Sequence, residues 1–123
     1  MKQALLVFIG GGIGSTLRYV VSKYFNSFFE HFYLGTFAVN IIGCLLIGFL
    51  LTLSVKGQLL SENQLLLLAT GFCGGFTTFS TFAFEKHSLL KSGALFHFSI
   101  YTLSSIVIGI IAITIGIWVA RLL

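Results

Sequence analysis

Proline and aspartate are absent from this sequence, and only three residues, Glu30, Glu62 and Glu85, carry negative charge. So few acids exclude most catalytic designs. No two carboxylates fall at close helical spacing, and there is no zinc-protease His/Glu pattern, Gly-x-Ser-x-Gly elbow or usable Cys/His pair. A nucleophile with its base and orienting group is not assembled, so an enzyme is not expected. The net charge of +4 is spread along the chain rather than gathered in a basic stripe, which argues against nucleic-acid binding. The two cysteines, Cys44 and Cys73, lie in apolar runs without metal-ligand spacing and read as small buried residues.

What is present is apolar. Of 123 residues, 57% are hydrophobic and 8% charged, with a mean hydropathy of +1.06. Fourteen Phe and fourteen Gly suit helices packed closely in lipid. A spanning helix needs about 20 apolar residues, and four such helices, over 3–24, 33–55, 62–85 and 94–121, use nearly the whole chain. The expected fold is therefore an all-α integral membrane protein, one four-helix transmembrane domain over 1–123. Lys2 precedes an apolar run without an Ala-x-Ala-like cleavage site, so this run is expected to be a mature first helix. Gly10 and Gly14 stand in small-xxx-small register, which lets another backbone approach. Arg18, late in the same helix, either snorkels to the interface or faces a wet cavity. Ser61 with Gln64 forms a capping box that starts the third helix, and Trp118 and Arg121 fit interface anchors.

One stretch breaks this pattern. Gly71-Phe-Cys-Gly-Gly-Phe-Thr-Thr-Phe-Ser-Thr-Phe82 puts three glycines within five residues, each weakening a helix by roughly 1 kcal/mol relative to Ala. A break over 71–78 is expected, with helix resuming through Glu85 and ending near an interface at Glu85 and Lys86. Non-helical backbone at membrane depth is tolerated only where protein or a wet cavity satisfies it, so the break marks a polar route. Phe79 and Phe82 then share one helix face, as do Thr78, Thr81 and Glu85. The last helix carries a polar and small stripe of His97, Tyr101, Ser105, Gly109 and Gly116. Asn40, an amide inside a span, serves either as glue between helices or as a donor to a permeating ion.

Charge leaves orientation open. Lys2, Lys56 and Arg121 fall on one side; Lys23, Lys86 and Lys91 fall on the other, with Arg18 close by. The positive-inside rule needs an excess on one face. A chain inserted both ways, and hence an antiparallel dimer, would look like this; so would a single orientation set by something else. The available lining of Asn, hydroxyls and phenyl edges suits a passive anion path of many weak donors. Small, hard anions would gain most. A proton-coupled carrier is disfavoured by the lack of an acid in the first two helices, and a protein that only packs helices leaves the Thr/Ser/Phe run unexplained.

Three segments carry a family resemblance. Gly10-Gly-Gly-Ile-Gly-Ser-Thr-Leu-Arg-Tyr19, Gly35-Thr-Phe-Ala-Val-Asn40 and the Gly71–Phe82 stretch resemble the CrcB/Fluc fluoride channels, in order and over the whole chain. The resemblance implies a four-helix, dual-topology homodimer in the bacterial inner membrane. Such a dimer exports fluoride passively, lowers fluoride in the cytoplasm and has two antiparallel pores. It implies that Phe79 and Phe82 are the pore phenyl pair and Asn40 the pore amide, with Thr81, Tyr101 and Ser105 among the pore hydroxyls. Gly109 stands where some members carry a further serine. Arg18 and Glu85 match charged positions near the vestibules. The backbone carbonyls of Gly74 and Thr77 match those that bind a structural sodium ion on the dimer axis. The partners implied are a second copy of the chain, fluoride and the lipid bilayer.

Overall fold

The computed structural model describes residues 1–56 and 59–123. The second loop, expected over 56–63, includes Gly57 and Gln58, which lie outside the described residues. Four segments are long and apolar enough to cross a membrane: Lys2–Phe25, Leu34–Val55, Glu62–Lys91 and Leu95–Leu122. The first, second and last are the single helices α1 (Lys2–Phe25), α2 (Leu34–Val55) and α6 (Leu95–Leu122). The third is composite. It passes from α3 (Glu62–Leu65) through a π-helical stretch (Leu66–Cys73) into α4 (Gly74–Phe76), and after a gap resumes as α5 (Phe79–Lys91). Among the described residues there is no strand.

Local signals account for several of the ends. Ser61 accepts from the Gln64 backbone N–H while the Gln64 side chain accepts from the Ser61 N–H, a reciprocal capping box that opens α3. Gly93 adopts φ +73, a conformation that costs glycine nothing and that turns the chain between α5 and α6. The third span runs six residues past the expected end at Glu85, to Lys91. Its last turns carry Leu89, buried against the rest of the fold, so packing continues the helix beyond the charged pair.

Glycine seams fix the helix pairs. A Cβ on Gly10 would sit 2.8 Å from the Phe72 nitrogen and one on Gly14 the same distance from the Phe76 nitrogen, so α1 lies backbone to backbone against the π-helical stretch and α4. Gly48 and Gly116 play the same part between α2 and α6, where an added Cβ would meet Ile113 and Leu45 main chain respectively. Between helices in lipid this close approach gains dispersion rather than hydrophobic energy, because acyl chains are as apolar as leucine.

The break is shorter than the glycines suggest. Gly74 is helical, at φ −62 and ψ −39, and the chain leaves helical geometry only at Thr77 (φ −86, ψ 159) and Thr78 (φ −150, ψ 125). The expectation of unwinding over 71–78 is corrected accordingly. Gly71 and Gly75 are there for approach: their α-carbons face Val7, Gly10 and Gly11 main chain, with no room for a Cβ. Thr77 still makes its helical bond, its N–H and hydroxyl both donating to the Cys73 carbonyl, at 3.0 and 2.9 Å. What ends the helix is competition for the next N–H. The Thr78 N–H, which would otherwise serve Gly74, donates to Asn40 Oδ1 at 2.8 Å.

Candidate functional site

The break opens onto a groove of about 610 Å³, lined by Asn40, Gly74, Thr77, Thr78, Phe79, Phe82 and Ser105 together with further residues of α2, the π-helical stretch and α6. Asn40 does for Thr78 what a neighbouring strand would do for an extended residue. Its Oδ1 accepts the Thr78 N–H, and its Nδ2 donates to the Thr78 carbonyl at 3.1 Å. One amide hydrogen of Asn40 remains for another acceptor. Thr78 also caps α5, its hydroxyl oxygen accepting the Thr81 N–H at 3.2 Å while donating to Thr81 Oγ1.

A helix cut in two exposes both ends of its dipole. The first turn of α5 directs its positive end toward the groove at Phe79, a setting that favours an anion. The C-terminal end of α4 offers carbonyls. Arg18 reaches across from α1 and donates from Nε to the Gly75 carbonyl at 2.9 Å. The Arg18 side chain therefore caps the broken helix, which the choice between snorkelling and a wet cavity did not anticipate. No donor among the described residues reaches the carbonyls of Gly74 and Thr77.

Phe79 is 79% exposed along the groove, and its ring centroid lies 6.2 Å from that of Phe82. Phe82 meets Tyr101 in a T-shaped contact at 5.4 Å. Behind these rings runs a buried polar chain that begins at the end of α1. The Asn26 amide donates to Thr36 Oγ1 at 3.2 Å and accepts the Thr36 N–H at 3.1 Å. The Thr36 hydroxyl donates to Glu85 Oε1 at 2.6 Å, and the Tyr101 hydroxyl donates to Glu85 Oε2 at 2.8 Å. Glu85, expected near an interface, is only 4% exposed. Two hydroxyls from α2 and α6 supply the donors that let this carboxyl be buried within the protein.

Seven residues singled out in the sequence thus share one groove, while Tyr101 and Glu85 sit behind it and Arg18 braces it. Ser105 lines the groove, although its hydroxyl donates to the Tyr101 carbonyl one turn back, at 2.6 Å. His97 packs edge-on against His31, at 4.9 Å. Sequence reasoning missed Asn26, Thr36 and Lys86. Thr36 could have been found, since it stands four residues before Asn40 and so shares its helix face. Replacing Thr36 with valine leaves Glu85 Oε1 and Asn26 Nδ2 without a partner, at about 1–3 kcal/mol each, while the backbone N–H at 36 still serves Asn26 Oδ1. Thermal unfolding in detergent is expected to fall for Thr36→Val and to recover for Thr36→Ser; equal midpoints for all three proteins would refute the network.

These features define a class: a small multi-pass membrane protein of four spans, built around a broken helix whose exposed ends face one groove. Residues 5–117 match the family model described as CrcB-like protein, Camphor Resistance (CrcB). The chain belongs to the CrcB family. Its relatives include proteins named fluoride-specific ion channel FluC. That of Phocaeicola vulgatus is 46% identical over 122 residues, covering 98% of this chain and 100% of the relative. That of Chlorobium phaeobacteroides strain BS1 is 48% identical over 118 residues, covering 96% of this chain and 92% of the relative. A Bacteroides fragilis protein of the same name is 47% identical over 120 residues, covering 94% of each chain.

Proposed function

We propose that this chain is a fluoride-specific ion channel that lets fluoride leave the bacterial cytoplasm across the inner membrane down its own electrochemical gradient. The observation that carries the reading is the groove at the break, where the positive end of α5, the spare amide hydrogen of Asn40 and the rings of Phe79 and Phe82 converge. A phenyl ring is positive at its edge, so two rings on one helix face offer an anion weak, non-trapping contacts. The near full-length likeness to relatives named as fluoride channels supports the same ion.

In this reading the functional unit is an antiparallel homodimer, in keeping with the balanced basic residues on the two sides of the chain. Phe79 is largely exposed on a single chain, so a second copy would complete the wall opposite it. The Gly74 and Thr77 carbonyls would hold a structural sodium ion, which would tie together the crossing of two broken helices. They fit that role in having no donor of their own among the described residues, and a hard cation takes oxygen ligands. Fluoride would pass along Asn40, Phe79, Phe82 and Ser105, which line the groove; Thr81, bonded to Thr78, and Tyr101, bonded to Glu85, would act from behind that lining.

The test is fluoride efflux from proteoliposomes followed with an ion-selective electrode, with chloride as control. Rapid fluoride release with chloride retained is expected; equal rates, or no release, would sink the reading. Phe79→Ile and Phe82→Ile are each expected to lower fluoride flux by at least about tenfold, the loss of roughly 1.4 kcal/mol of ion stabilisation, with the size-exclusion profile unaltered. Buried Glu85 favours one second reading, a proton-coupled carrier, because ionisable groups inside a membrane often relay protons. Flux that follows an imposed proton gradient in the absence of a fluoride gradient would select it.

A further inference from the structure

The rings behind the groove enclose an ammonium. Lys86 is 7% exposed, and its Nζ is the one buried side-chain nitrogen or oxygen among the described residues without a hydrogen-bond partner. Neighbouring Glu85 attracts it through space but makes no hydrogen bond to it, since that carboxylate is turned to Thr36 and Tyr101. Aromatic faces surround the charge. Nζ lies 3.4 Å from the Tyr101 ring centre, 4.5 Å from that of Phe82 and 5.8 Å from that of Phe98. A desolvated ammonium is costly unless something negative faces it, and the π faces are what this site supplies.

Phe82 is common to both environments. It lines the groove, and its face is taken by Lys86. We propose that Lys86 is a positioning residue that tunes anion passage through Phe82. The cation holds the ring by its negative face, which leaves the positive edge as the side available in the groove. It also draws π density toward itself, so the ring edge becomes a better partner for an anion. The inference rests on the channel reading and adds to it a residue outside the groove lining. Simple stem packing, the ordinary use of a long lysine in a membrane, makes a different prediction because it does not need the charge.

Lys86→Met keeps the stem and removes the charge; Lys86→Arg keeps the charge. In the proteoliposome assay Lys86→Met is expected to lower fluoride flux roughly tenfold and to narrow the fluoride-to-chloride ratio, from the loss of a desolvated cation–π contact. Lys86→Arg is expected to stay within about threefold of the parent. In a Phe82→Ile background, Lys86→Met is expected to cost less than about twofold more, because the intermediary ring is gone. Lys86→Met is also expected to unfold at an equal or higher temperature than the parent, since it relieves an unpartnered buried charge. A parent that conducts fluoride while Lys86→Met conducts equally overturns this inference and leaves the channel standing. So does an equal loss with and without Phe82, or a Lys86→Met protein that no longer folds. A parent that does not conduct overturns both.

Discussion

Gly14→Val is expected to leave almost no correctly folded protein, a fall of at least about tenfold in monodisperse yield. A Cβ at this position would press on the Phe72 carbonyl oxygen and lie 2.8 Å from the Phe76 nitrogen. Both obstacles are main chain of the third span, which cannot rotate aside as a side chain can. Overpacking alone commonly costs about 1–3 kcal/mol. Here α1 would also have to withdraw along its seam, taking Arg18 from the Gly75 carbonyl and leaving the broken end of α4 uncapped inside the membrane. Gly12 is the matched control, because a Cβ there meets nothing within 4 Å. Gly12→Ala is expected to be neutral or to stabilise by up to about 1 kcal/mol through helix propensity. Size-exclusion profiles and thermal unfolding of the two variants measure this directly. A well-behaved Gly14→Val protein would mean that the α1 seam is not closed as described.

Asn40→Leu is expected to destabilise the protein by roughly 2–6 kcal/mol and to bring ion flux to background. Its amide makes both hydrogen bonds that an extended Thr78 needs within the span. Losing them leaves a donor and an acceptor unpaired, at about 1–3 kcal/mol each. Asn40→Asp should fall between parent and Leu, because a carboxylate still accepts the Thr78 N–H but cannot donate to its carbonyl. Thermal unfolding ranks the three proteins, and hydrogen exchange at the Thr78 amide reports the bond itself. A protected Thr78 amide in Asn40→Leu would show that something else holds the break.

The residue pattern makes some of this structure readable in advance, and the physics behind each legible part is local. Continuous apolar length predicts four spans, and the structure has them at Lys2–Phe25, Leu34–Val55, Glu62–Lys91 and Leu95–Leu122. The Ser61 and Gln64 capping box depends on residues three apart and stands as read. The Gly10 and Gly14 spacing predicts a close backbone approach, although not which span would make it. The groove residues were legible as a set because polar and aromatic side chains amid Leu, Ile and Val are conspicuous.

Other features depended on partners far along the chain. The glycines at 71, 74 and 75 suggest a longer unwinding, but propensity is a weak prior and close packing against α1 keeps Gly71 and Gly75 helical. Helical geometry fails instead at Thr77 and Thr78, where Asn40, 38 residues before Thr78, takes that residue's backbone hydrogen bonds. That Glu85 is buried within the protein was not legible from its neighbours Lys86 and His87; Thr36 and Tyr101, both distant in sequence, make that burial tolerable. The sequence by itself determined the solvent this protein lives in and the number of its spans. The tertiary structure decided where the third span opens and which charges are buried, because hydrogen bonds and aromatic contacts between distant segments outweigh the local preferences of the residues they join.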